Sequence, residues 1–132
     1  METNGIEEGI SALLHSKAME ASVRFLMRHD YQILDPDFWH DGERLVVARD
    51  EDDTIVFVDV LVKPLGENDL PEENRTQIKR ARMERAGASW LVENPPESDV
   101  PVRFDVIGML IIAEDRALLR HHINAFGSEW PE

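Results

Sequence analysis

The stretch Thr54–Val62 is almost entirely β-branched or aromatic. It shows none of the polar alternation of a half-exposed strand, so it predicts a central strand buried on both faces. A strand of that kind needs neighbours on either side and elements packed above and below it. Arg44–Ala48 precedes it across Asp50-Glu51-Asp52-Asp53, which reads as a hairpin with an acidic, solvated loop. The loop lacks the glycine and the spaced ligands of a calcium loop.

The rest of the chain supplies the covering elements. Between Ile6 and Arg28, apolar residues recur at Ile10, Leu13, Leu14, Ala18, Ala21, Phe25 and Leu26, the spacing of one helix face. Tyr31–Leu34 predicts a short first strand, closed by the turn signal Asp35-Pro36-Asp37. Pro71 or Glu72 to Glu93 predicts a second helix, ended by Asn94-Pro95-Pro96. Val102–Ile112 predicts a further apolar strand, and Ala117–Phe126 a last short strand and helix. The expected fold is α/β, a mixed sheet flanked by helices in the order α-β-β-β-α-β-β-α, because a helix between neighbouring strands requires a crossover. No repeat, linker or low-complexity tract divides residues 1–132, which read as a single domain.

Charge and composition narrow the chemistry. The net charge is −13, so phosphate is repelled on average and nucleic-acid binding would have to be local. There is no cysteine, which removes disulfides, thiolate clusters and a thiol nucleophile. The acidic opening METNGIEEGI lacks the basic start of a secretory signal, and the longest apolar run, Val106–Ala113, is too short to span a bilayer. The expectation is a cytoplasmic protein with no membrane partner. No Gly-x-Ser-x-Gly or phosphate-cradling glycine loop is present.

Six phrases in order carry a family resemblance: Glu20-Ala21 with Phe25-Leu26, Tyr31-Gln32-Ile33-Leu34, Gly42-Glu43 leading to Ala48-Arg49-Asp50, Val56-Phe57-Val58-Asp59-Val60, Arg103-Phe104-Asp105-Val106, and His122-Ile123-Asn124-Ala125-Phe126. Over residues 17–127 the chain resembles the YraN-like family of small uncharacterised bacterial proteins, related in fold to Holliday-junction resolvases and restriction endonucleases. The resemblance implies a restriction-endonuclease-like fold and a nuclease site: an acid on one strand, an acid-x-Lys triplet on the next, and a Glu on the first helix. Two carboxylates would hold Mg²⁺ while the lysine serves the attacking water. Leu45 occupies the strand-acid position and Leu61 the lysine position, whereas Asp59 and Glu20 remain.

The expected site is therefore a remnant: Glu20 and Asp59 as poor metal ligands, with Glu43 and Lys63 on the same strand faces as Leu45 and Asp59. Lys63 is the first candidate partner for Asp59. The favoured function is a pseudo-nuclease, a non-catalytic module binding nucleic acid or protein without a cofactor. The alternative is an Mg²⁺-dependent endonuclease rearranged around Glu20, Glu43, Asp59 and Lys63. On the second helix Arg75, Lys79 and Arg82 fall on one stripe and are the candidate nucleic-acid contacts. Adjacent His121 and His122 chelate poorly and read as structural. Trp90 reads as core, and Trp130 as an anchor for a homodimer or another protein.

Overall fold

The computed structural model describes residues 3–64, 70 and 76–125. The elements are α1 (Thr3–Arg28), β1 (Gln32–His40), β2 (Glu43–Arg49), β3 (Ile55–Lys63), α2 (Gln77–Glu93), β4 (Val102–Ala113) and β5 (Arg116–His122). The strands are ordered β1-β2-β3-β4-β5 in one sheet. Only the β3–β4 pair is parallel, with α2 in the crossover, so the sheet is mixed as expected.

The β-branched run is β3, and Ile55–Val60 are all buried. Alternation sends its side chains into two cores. Val56, Val58 and Val60 join Val46, Ile107 and Met109 beneath Ala18, Met19 and Leu26 of α1. Phe57 joins Leu45, Val47, Phe104 and Val106 beneath Met83, Ala86 and Trp90 of α2. Trp90 is thus core, edge-on to Phe57 at 5.9 Å between ring centroids. Helix α2 approaches closely because Gly87 faces the sheet: a Cβ there would lie 3.2 Å from both the Phe57 and Phe104 rings.

Three elements differ from expectation. Helix α2 begins only at Gln77, because Thr76 is its extended N-cap, and residues 71–75 of the expected helix lie outside those described. β1 runs on through Pro36 to His40, with register shifts on either side of Asp35. Proline is tolerated because β1 is an edge strand, where a missing N–H removes no ladder bond. The β1–β2 hairpin then turns on Asp41-Gly42, both at positive φ (46° and 82°), as a two-residue loop requires. At the other end, residues 116–122 are all strand and 123–125 form a turn, so the expected closing helix is not found among the described residues. Phe126 and Trp130 lie outside them. The acidic loop is a hairpin turn, with the Asp50 N–H donating to the Thr54 carbonyl and the Asp53 N–H to that of Asp50. No described helix is long and apolar enough to cross a membrane.

Candidate functional site

Asp59 and Leu45 stand directly opposite one another on β3 and β2. Side chains of such a cross-strand pair lie about 5 Å apart at Cβ, so acids at both positions would converge on one cation. Leu45 instead is wholly buried in the core under α2, and Leu61 packs against the same cluster. Asp59 keeps its place on that face, 7% exposed.

Its counter-charge comes from α2. The Lys79 ammonium lies 2.5 Å from Glu43 Oε1 and 3.3 Å from Asp59 Oδ2, between the two carboxylates. Glu43 begins β2 and is 4% exposed. Thr76 caps α2 by accepting a hydrogen bond from the Lys79 N–H, which fixes the first turn of the helix over the acid pair. Burial disfavours the Lys79 charge, but Asp59 and Glu43 outweigh it and raise its pKa. Asp59 is also raised, because burial outweighs the attraction of Lys79.

Arg82, one turn further along α2, lies 3.8 Å from Glu43 Oε2 and is half exposed. With Arg85, His40 and Asp41 it lines a cavity of about 230 Å³ that reaches Glu43. Two arginines at the mouth suit an anion, and the buried ammonium repels a divalent cation. Among the described residues no group of three His, Cys, Asp or Glu is placed to hold a metal. The Mg²⁺ implied by the resemblance does not fit: its octahedral shell needs free, converging oxygens, and here those oxygens hold Lys79.

The structure separates the other candidates. Glu20 is exposed on α1, which packs on the opposite face of the sheet, and lines a cavity with Arg24, Asp37 and Arg44. Lys63, the expected partner of Asp59, makes no ion pair with it; Lys79 takes that role. Arg75 lies outside the described residues; of the other two, Lys79 points inward and Arg82 stays on the surface. Lys79 was legible as an inward residue: it precedes Met83 by four and Ala86 by seven, the buried stripe of α2.

A second polar cluster escaped the sequence reading except for His121, which reads as structural and is so. Asp105 on β4 is fully buried on the α1 face. It accepts two hydrogen bonds from Arg103, both 2.9 Å, one from the Asn124 N–H at 2.8 Å, and lies 2.8 Å from His121 Nε2. Arg103 also donates to Asp50 and to the Tyr31 hydroxyl, each at 2.9 Å. The cluster clasps β4, β5, the acidic hairpin and the end of α1. Its carboxylate is saturated, which makes it a structural group.

Comparison with known proteins gives one consistent result. The model of an uncharacterised protein family, UPF0102, matches residues 19–109. A UPF0102 protein of Geobacter sulfurreducens is 32% identical over 115 residues, covering 86% of this chain and 88% of its own length. A second, from Geobacter metallireducens, is 35% identical over 114 residues, with 86% and 91% covered. One from Lachnoclostridium phytofermentans is 34% identical over 114 residues, with 86% and 93% covered.

Proposed function

Since the chain belongs to the UPF0102 family, whose YraN-like resemblance implies a nuclease scaffold, we propose that this member is a non-hydrolytic binding module of that scaffold. The observation that carries the reading is Lys79, which neutralises Glu43 and Asp59 from within. An internal ammonium takes the position that catalysis would give to a cation. With leucine at 45 and 61, the strand acid and the strand lysine are missing from the positions the resemblance gives them for a phosphodiester reaction; Glu43 is held by Lys79, and Lys63 makes no ion pair with Asp59. The ligand is the phosphate backbone of a nucleic acid, met by Arg82 and Arg85 at the cavity mouth. With so few contacts against a net charge of −13, binding is expected to be weak and steeply dependent on salt.

The test measures cleavage, metal binding and nucleic-acid binding on the same preparations. Wild type is expected to cleave no DNA or RNA with Mg²⁺ or Mn²⁺, and its melting temperature should not respond to either ion. Lys79→Met should destabilise by about 3 kcal/mol, because it strands two buried acids, and Mg²⁺ should then restore part of the loss by binding between them. Arg82→Glu with Arg85→Glu should abolish nucleic-acid binding at low salt. Wild-type cleavage that is lost in Asp59→Ala would overturn the reading and make Glu43, Asp59 and Lys79 a rearranged nuclease centre. No binding to single-stranded, duplex or branched DNA or to RNA would replace the nucleic acid by a protein ligand.

A further inference from the structure

The two edges of the sheet are defended unequally. β1 carries Pro36, two register shifts and the acids Asp35 and Asp37, devices that discourage another strand from pairing. β5 has no proline and no acid. It pairs regularly with β4 from Val106↔His122 to Ile111↔Ala117 and is shifted only at the turn. Arg116, Ala117, Leu118 and Arg120 are exposed, Leu118 by 50%. The outward backbone groups of residues 116–121 make no hydrogen bond to another described residue.

This open edge is also where the cations of an acidic molecule gather. A groove of about 620 Å³ separates α1 from the β4–β5 hairpin, floored by Phe25, Met109 and Leu119. Lys17, Arg24 and Arg28, seven and four residues apart, lie along its α1 side, and Arg116 closes the other. Arg120 follows on β5 but points with Leu118 to the other face of the sheet, since Leu119 between them floors the groove. All five are exposed and none makes an ion pair with another described residue. Glu20 on the rim and Glu114 and Asp115 in the turn are the acids of the groove, and none of them pairs with these cations.

We propose that β5 accepts an extended acidic segment of a partner protein as a sixth strand. Main-chain bonds to the free edge supply affinity, and alternate side chains supply selectivity. Acids of the added strand meet Lys17, Arg24 and Arg28 across the groove, while its apolar residues cover Leu118. A second copy of β5 is a poor occupant, since Arg116 and Arg120 of the two strands would be brought together. The surface is separate from the Arg82–Arg85 cavity, so this proposal stands or falls independently of the nucleic-acid reading.

The probe is a labelled eight-residue peptide alternating glutamate and valine, added to the full chain at low salt and followed by fluorescence anisotropy and amide hydrogen exchange. It is expected to bind, to weaken with salt, and to slow exchange at residues 116–121. Replacing one central valine by proline leaves the charge intact but removes a ladder bond, and should weaken binding roughly tenfold. Arg24→Glu with Arg116→Glu should weaken it by at least as much. Three results would overturn the proposal: proline and parent peptides binding equally, a lysine–valine peptide binding as well as the acidic one, or an octathymidylate binding as tightly without slowing exchange on β5. The last two would reduce the edge to unspecific adhesion or to a polyanion site.

Discussion

At the scale of residues, two buried acids on opposite faces of the sheet meet opposite fates. Asp59 has a single cation, shared with Glu43, and burial keeps its pKa high. For Asp105 burial also acts to raise the pKa, but His121, Arg103 and the Asn124 N–H together outweigh it and hold the carboxyl below its ordinary value. A depressed folded-state pKa contributes stability that is present at neutral pH and is lost as the pH falls through the carboxylate range. Urea midpoints measured from pH 7 downward should therefore drop below about pH 5. Asp105→Asn should cost about 3 kcal/mol at pH 7, by leaving the clasp short of its charge, and should flatten that acid limb. The sequence held the clue to Asp105 only as an interruption of an apolar strand; that Arg103, two residues before it, points the same way follows from alternation. His121 and Asn124 became visible only once β5 was folded back beside β4.

At the scale of elements, legibility depended on what each segment must bury. β3 was readable because a run with no polar face admits one environment, and the parallel β3–β4 seam followed from the helix between them. β1 was misread because Asp35-Pro36-Asp37 signals a turn locally, whereas an edge position lets a strand pass through it. The dipeptide Asp41-Gly42 was the better signal, since its two positive φ angles mark the hairpin that ends β1. Within the α2 stripe Lys79 was read on the wrong side, because lysine suggests solvent and the acids beneath it belong to β2 and β3, far away in sequence, whereas Arg82 stays on the surface as read. That placement depends on how closely α2 docks, which Gly87 permits. Alanine there gains up to about 1 kcal/mol of helix propensity, but its methyl would press on two rings that are stacked 5.6 Å apart and buried. Gly87→Ala is expected to be destabilising by about 1 kcal/mol net. Chemical denaturation checks the sign, and a change in near-ultraviolet dichroism of Trp90 would report the displaced helix.

At the scale of the whole molecule, charge is distributed with more order than its total suggests. The acids outnumber the bases to give −13, yet Lys79 and Arg103 are spent internally while Lys17, Arg24, Arg28, Arg116 and Arg120 are left outward along one margin. Self-repulsion among the surplus acids opposes the compact state. Raising NaCl from about 0.02 to 0.2 M, which contracts the screening length from roughly 20 to 7 Å, should therefore raise the melting temperature. A fall would mean that the surface attractions outweigh the repulsion. The crossover through α2 also imposes an order in time. A chain leaving the ribosome carries Ile55–Lys63 as the bare flank of a three-stranded meander until Val102–Ala113 has been made. During that interval the most apolar strand of the finished protein is the one most open to a neighbouring nascent chain, and the four acids of the turn at its start stand as its repulsive guard.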